Sequence, residues 1–320
     1  MKILMVGPGI LPIPAPGYGA IETVIWQQKL HLEQRGHHVD ILNKKGWLSL
    51  FKARPWRYDI VHLHYDGHAR KWAKLLKFFK VNLIATSHNA HAAFPSLWGK
   101  GFAKKFSVLK RLPRLMVLSS EIKETFLARG YRGQIEVLRN GTEVKSFACR
   151  PEGNGRVLCI GKIDPRKRQA ELAAAFNAAG VCRCDFVGQI ADADFMPDHK
   201  NSFYLGSWNR DEVHQKLTDY SCLVLMSHAE AHALVVQEAM AAGLSVVVSP
   251  QAAANLPRDK AWLKICDTMA EVPVLAARLA AENKTYRQEI RRFAEEYCDW
   301  TEVVKVYEAN MRCFFGEIGA

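Results

Sequence analysis

Paired cysteines are missing from this chain of 320 residues. Of its eight cysteines (Cys149, Cys159, Cys182, Cys184, Cys222, Cys266, Cys298 and Cys313), only Cys182 and Cys184 lie close together, and no C-x-x-C occurs. That pattern argues against a zinc ribbon or a thioredoxin-type site and reads as reduced thiols of a cytoplasmic protein. No apolar run approaches the ~20 residues that a membrane-spanning helix needs. The opening Met1-Lys2-Ile3-Leu4-Met5-Val6-Gly7-Pro8-Gly9 reads as a strand and lacks the layout of a secretory leader. It also lacks the third glycine of G-x-G-x-x-G, and Pro8 fills the turn, which disfavours a nicotinamide enzyme. Short repeats and low-complexity tracts are absent.

Acidic residues are scarce in one half only. Residues 1–150 hold 25 Lys+Arg against 9 Asp+Glu, a net +16, whereas residues 151–320 carry −4. An asymmetry of this size points to two domains with different partners and to an anionic partner for the first. Apolar residues make up 49% of the chain, enough to bury real cores.

Short apolar runs alternate with helical patterns throughout. Strands are expected at Ile3–Val6, Val39–Leu42, Asp59–Leu63, Asn82–Thr86 and Leu115–Leu118. Helices are expected over 21–35 and 69–80 and from about Ser120. The rhythm restarts with strands at Arg156–Ile160, Cys184–Val187, Phe203–Leu205, Cys222–Met226 and Ser245–Val248. Helices intervene over 168–178, 211–217 and 235–242. Arg150-Pro151-Glu152-Gly153-Asn154-Gly155 has the composition of a linker. The expected class is α/β, with two doubly wound, Rossmann-like domains facing a central cleft. The expected boundaries are 1–150, 151–298 and a closing helix over 299–320.

The stretch Ser227 to Ser249 carries the most chemistry. It leaves a strand, passes through a loop into a helix, and returns to a strand after Gly243. A helix N-terminus offers free N–H groups and positive dipole charge to a phosphate, here at His232, Ala233, Leu234 and Val235. Glu230 lies in the loop and Glu238 about a turn into the helix, where each can accept hydrogen bonds from sugar hydroxyls. One phosphate seat flanked by two such carboxylates suits a nucleotide sugar.

This stretch resembles the retaining GT-B glycosyltransferases of family 4. Glu230 and Glu238 match that family's E-x7-E motif, followed by Glu238-Ala239-Met240-Ala241-Ala242-Gly243. Pro16-Gly17-Tyr18-Gly19 resembles the acceptor-side loop. Asp59-Ile60-Val61-His62-Leu63-His64 and Thr86-Ser87-His88-Asn89 resemble its first-domain strand ends. Val137 to Thr142 resembles its P-N-G-V segment, Gly161 to Lys167 its G-R-x-x-x-x-K signature, and Tyr204-Leu205-Gly206 its F-x-G strand. Trp300 and the pattern over 303–314 resemble its closing helix.

The resemblance implies catalytic roles for His88, Lys162, Lys167 and Glu230. It implies donor binding by Gly161, Lys162, Lys167, Gly206, His232, Ala233, Leu234, Val235 and Glu238, and acceptor contact by Gly17, Tyr18 and Gly19. No metal and no cofactor is expected, since Lys162 and Lys167 can neutralise a diphosphate leaving group. His62 and His64 share one strand face near His68, His88 and His91, but no carboxylate there has ligand spacing. Lys162 stands where the family most often has arginine, Ala231 and Ala233 replace glycines of E-G-F-G, and Ala20 replaces a second glycine of the acceptor loop.

The segment 69–80 places Trp72, Leu75, Leu76 and Phe79 at helical spacing among lysines. This pattern fits an interfacial helix and equally an ordinary helix packed on its own sheet. Lys100–Arg114 adds a second basic cluster. The expected activity is transfer of a sugar from a nucleotide diphosphate donor to an envelope glycolipid, lipopolysaccharide or polysaccharide precursor. The site would be cytoplasmic and peripheral, at an anionic membrane face. Nucleic acid is not an expected partner, as no recognition motif occurs. A nucleotide-sugar epimerase or hydrolase, or a non-catalytic nucleotide-sugar-binding protein, are the alternatives. Base, sugar, acceptor and oligomeric state are not written in the sequence.

Overall fold

The computed structural model describes residues 1–15, 19–44, 48–70, 72, 79 and 81–316. The chain divides into two compact units, Met1–Asn140 with Trp300–Ala320, and Gly141–Asp299. The first holds β1 (Lys2–Val6), α1 (Ala20–Gln34), β2 (His38–Leu42), α2 (Leu48–Lys52), β3 (Ile60–Leu63) and β4 (Leu83–Ser87). It continues with α3 (Lys100–Leu109), β5 (Arg114–Val117), α4 (Ser120–Ala128) and β6 (Gln134–Val137). Its six strands run in the order β2-β1-β3-β4-β5-β6, all pairs parallel. The second unit holds β7 (Val157–Ile160), α5 (Gln169–Ala179), β8 (Cys184–Val187), β9 (Ser202–Tyr204), α6 (Arg210–Lys216) and β10 (Cys222–Leu225). After these come α7 (Leu234–Ala241), β11 (Ser245–Val248), β12 (Leu263–Ile265) and α8 (Val272–Tyr297), while α9 (Trp300–Phe315) belongs to the first unit. Its sheet runs β12-β11-β10-β7-β8-β9, again parallel.

The inner strands are largely apolar, as expected of parallel sheets covered on both faces, with His62, Thr86, Ser87 and Asp185 among the polar exceptions. β3, β4, β7, β8, β10 and β11 are buried at every residue. α4 is capped by Ser119, one residue before the expected start, whose Oγ accepts from the Ile122 N–H at 3.3 Å. All eight cysteines are free, as expected of reduced thiols.

The division between units falls after Asn140, ten residues before the expected linker. Val144 and Phe147 are buried in the second unit's core, which draws the preceding chain into it. Residues 150–155 are mostly exposed, but their backbone is tied to the second unit. The Arg150 N–H donates to Thr218 Oγ1 at 2.7 Å, and the Gly155 N–H to Ser221 Oγ at 3.0 Å. A β-carbon on Gly153 would lie 2.5 Å from the Tyr220 carbonyl oxygen.

Arg287 of α8 holds this segment from inside. Its side chain is 0% exposed. Its guanidinium donates to the carbonyls of Arg150 (2.7 Å), Tyr220 (3.0 Å), Ala242 (3.2 Å) and Thr218, and to Asn283 Oδ1 (2.7 Å) and Thr218 Oγ1 (3.0 Å). Burial pulls its pKa down from the usual arginine range.

In the first unit, α9 docks on α1. Glu308 accepts two bonds from the Arg35 guanidinium at 2.7 Å each and contacts His37 Nε2 at 2.9 Å. Trp72 is 2% exposed, so this member of the expected amphipathic stripe is core. Leu75 and Leu76 lie outside the described residues. Phe79 is half-buried against the Trp56 ring, at 4.9 Å between centroids.

Candidate active site

In a doubly wound sheet, ligands gather at the carboxyl ends of the strands where the strand order reverses. In the second unit that point lies between β7 and β10. The loop after β7 carries Gly161 to Lys167, and the loop after β10 carries Ser227 to Ala233, so the fold brings these two motifs to one place.

Three neighbouring strands each give way to a glycine with positive φ. Gly161 (+136°) follows β7, Gly188 (+145°) follows β8, and Gly206 (+77°) lies just beyond β9. They are hydrogen-bonded across: the Gly161 N–H donates to the Val187 carbonyl at 2.9 Å, and the Gly188 N–H to the Gly206 carbonyl at 2.8 Å. A β-carbon on Gly188 would lie 2.0 Å from the Gly161 carbonyl oxygen, so only glycine permits this approach. Gly161 and Gly206 were expected site residues. Gly188 was not, because nothing local in the sequence shows that its neighbour in space is another backbone.

The loop from Gly161 to Arg168 is braced from within. Asp164 Oδ1 accepts from the Lys167 N–H at 3.2 Å. The buried Gln169 donates Nε2 to the Lys162 carbonyl at 2.9 Å and accepts from the Asp164 N–H at 3.2 Å. This bracing folds the Lys167 side chain back over Gly161, where Nζ lies 2.6 Å from the place a β-carbon would take. Lys167 is half-buried and Lys162 exposed, and among the described residues neither ammonium pairs with a carboxylate. A partly desolvated cation without a counter-ion is stabilised when an anion arrives.

Across the switch point, Glu230 is 14% exposed at its side chain. Its Oε1 accepts from Ser227 Oγ at 2.9 Å and from Arg166 Nη1 at 2.9 Å. Ser227 is itself fixed, its carbonyl accepting from Ser249 Oγ at 2.7 Å. α7 begins at Leu234 with Ala233 at its N-cap and no side-chain cap, so its first N–H groups are left for another acceptor. His232 Nδ1 lies 3.3 Å from the buried Gln237 Nε2, and Val235 is half-buried in the first turn. Glu238 lies one turn into α7, 14% exposed at its side chain, and accepts from the Arg210 guanidinium at the start of α6. The expected donor residues of the second unit therefore converge on one end of one sheet. Arg166 and Arg210 were missed. Each reaches a carboxylate distant in sequence, a relation that no local motif shows.

In the first unit, His88 follows β4, as expected, and is the half-buried end of an imidazole row whose other members, His62 and His64, are fully buried. His88 Nε2 lies 3.3 Å from His64 Nδ1, and the His62 and His64 rings are 4.0 Å apart. His62 bridges Thr86 Oγ1 (2.7 Å) and Tyr307 of α9 (3.1 Å). Burial pushes His62 down to about 3 and His88 to about 4, and holds His64 well below its ordinary value. Asp66 was also missed: it is half-buried, accepts from Ser87 Oγ at 3.0 Å, and desolvation of its carboxyl pushes it up to about 6. No group of three or more potential metal ligands occurs among the described residues. Gly19 (φ +141°) precedes α1, where a β-carbon would lie 3.2 Å from Oε2 of the buried Glu22. Gly17 and Tyr18 lie outside the described residues.

Residues 143–255 match the family described as Glycosyl transferases group 1, and residues 44–146 match Glycosyltransferase Family 4. Together the two matches span residues 44–255 and so fall in both units. The chain is a GT-B glycosyltransferase of the family 4 type. Among solved structures, sucrose-phosphate synthase from Thermosynechococcus elongatus is similar over 99% of this chain and 100% of its own, with a TM-score of 0.78 and 17% identity. The Anabaena protein HepE, solved with UDP and glucose, covers 98% of this chain and 100% of its own at a TM-score of 0.75 and 16% identity. At these identities the likeness is one of fold. Glycogen synthase of Mycobacterium tuberculosis is 26% identical over 219 residues, 61% of this glycosyltransferase and 53% of the relative. The chain thus spans about half the length of the curated relatives it matches.

Proposed function

We propose that this glycosyltransferase moves a sugar, with retention at the anomeric carbon, from a nucleoside diphosphate sugar to a glycan or glycolipid acceptor. The observation that carries this reading is the half-buried Lys167 ammonium, folded over Gly161 with no carboxylate partner among the described residues, at the switch point that also holds Glu230. The diphosphate sits against Lys167, Lys162 and the N–H groups that open α7. Glu230 accepts from hydroxyls of the sugar and Glu238 from those of the ribose. The bond from the anomeric carbon to the diphosphate oxygen breaks as the acceptor oxygen attacks the same face. The acceptor's proton passes to the departing diphosphate, whose growing charge Lys167 stabilises. HepE, solved with UDP-glucose, makes uridine nucleotides the first donors to try. The second unit takes the donor, and the basic first unit takes the acceptor.

The acceptor side supports a second element of the proposal, an anionic membrane face. Lys100, Lys104, Lys110 and Arg111 are exposed in and just after α3, whose Phe102, Phe106 and Leu109 are buried. Nearby in sequence to the basic Lys52, Arg54 and Arg57, Trp56 is 45% exposed. Cations near an anionic leaflet contribute about 1 kcal/mol each. Vesicles of phosphatidylglycerol should bind the protein in low salt and phosphatidylcholine vesicles should not; equal binding to both would remove the membrane from the account.

The deciding experiment is a thermal-shift panel of nucleoside diphosphate sugars, followed by proton NMR of the product formed with the stabilising donor. An axial-to-axial outcome supports retention. Release of free sugar without any acceptor dependence would favour the hydrolase alternative, and no stabilisation by any donor would overturn the proposal.

A further inference from the structure

The loop of Lys167 and the loop of Glu230 are joined at two points, both by the residue before the lysine. The His228 N–H donates to the Arg166 carbonyl at 2.8 Å. The Arg166 side chain returns the contact: Nη1 donates to the Ala229 carbonyl at 2.6 Å and to Glu230 Oε1 at 2.9 Å. Ser227 donates to that same oxygen at 2.9 Å. Oε1 is thus held by two donors and Oε2 by none among the described residues. A carboxylate held at one oxygen by a guanidinium and a hydroxyl keeps one rotamer, with its second oxygen free to accept.

From this geometry we infer that Arg166 is a positioning residue for Glu230, which couples the sugar-binding carboxylate to the diphosphate-binding lysine next in sequence. The inference rests on the donor-site reading above. Arg166 does not hold the donor itself. It fixes where Glu230 Oε2 stands relative to Lys167, so that sugar and diphosphate are gripped as one rigid unit. Its loss should therefore lower discrimination and turnover for the intact donor while sparing the nucleotide alone.

The test compares Arg166→Ala, Arg166→Lys, Glu230→Ala and the Arg166→Ala/Glu230→Ala double variant. Each is titrated with UDP and assayed with the nucleotide sugar that the donor panel selects. The side chain of Arg166 is about a third exposed, 32%, so the variants should fold, and melting curves check this. Arg166→Ala should keep UDP affinity within about threefold of the parent and lose about tenfold or more in kcat/KM with the sugar donor, as expected for removing a charge-assisted bond. Arg166→Lys should recover part of that loss. The double variant should be no worse than Glu230→Ala, because one residue acts through the other. Multiplying effects would show that Arg166 acts on the donor directly, and parallel loss of UDP binding would reduce it to loop structure; either overturns the inference. Hydrogen exchange over residues 227–232 provides a readout without donor. It should quicken in Arg166→Ala, and no change would also overturn the inference. Failure of the parent protein to bind any nucleotide sugar would instead strike the donor-site reading, leaving exchange to judge the coupling of the loops.

Discussion

The ammonium of Lys167 lies 2.6 Å from the place that a β-carbon on Gly161 would occupy. The glycine at the end of β7 and the lysine six residues later are one device, and neither tolerates change independently. Gly161→Ala would displace the ammonium and place alanine at a φ of +136°, a region that side chains avoid. Binding of nucleoside diphosphate should fall by about tenfold or more, with Lys167 still present. Calorimetric titration of Gly161→Ala with UDP checks this, and parental affinity would show that Lys167 acts from elsewhere.

Glu238 stands one turn into α7 and accepts from Arg210. If it also accepts from the ribose, Glu238→Ala should weaken UDP by about tenfold or more, while inorganic pyrophosphate binds as before. Equal weakening of both ligands would place Glu238 in support of the helix rather than on the ribose.

Arg287 is wholly buried and its guanidinium reaches four carbonyls, an amide oxygen and a hydroxyl. Arg287→Ala leaves these acceptors without a donor and opens a cavity, so the second unit should lose about 3 kcal/mol or more. Urea unfolding followed by circular dichroism reads the loss. A change below about 1 kcal/mol would mean that water replaces the guanidinium at little cost.

Stability should fall on acidification. His62, His64 and His88 are held neutral in the fold, with pKa values below the unfolded value near 6.5. Below that pH the unfolded chain takes up protons that the native chain refuses, so the stability these residues contribute above 6.5 is lost as pH falls toward 4. Asp66, raised to about 6, works the other way, since its native form holds a proton between about 4 and 6. Three imidazoles outweigh one carboxyl. The net slope approaches about 1.4 kcal/mol per pH unit for each excess proton. The urea midpoint should drop between pH 7 and 4.5 and drop less in His64→Asn. A midpoint that rises over this range would contradict the imidazole row.

What could be read beforehand was local. The α/β rhythm follows from spacing along the chain, and Glu230, Glu238, Gly161, Lys167, Gly206 and His88 were singled out by resemblance to family motifs, each contained within one strand, loop or helix. What escaped depended on distant partners. Arg166 meets Glu230 across 64 positions and Arg210 meets Glu238 across 28. The boundary moved from 150 to 140 because Val144 and Phe147 find a core made by residues far downstream. The 26-residue α8 was not anticipated, since its buried face includes Asn283 and Arg287 and so breaks the apolar stripe. Trp72 shows the limit in the other direction, because amphipathic spacing among lysines cannot say which apolar residues are core.

The central claim is that Lys167 receives the donor's diphosphate. Its most direct test is titration of UDP, GDP and ADP into the parent protein and Lys167→Ala, with excess chelator present. The account predicts that at least one nucleotide binds the parent without metal and binds Lys167→Ala about tenfold or more weaker, the effect of removing one charge-assisted bond. Equal affinity for the two proteins, or binding that appears only when a divalent cation is restored, would contradict it.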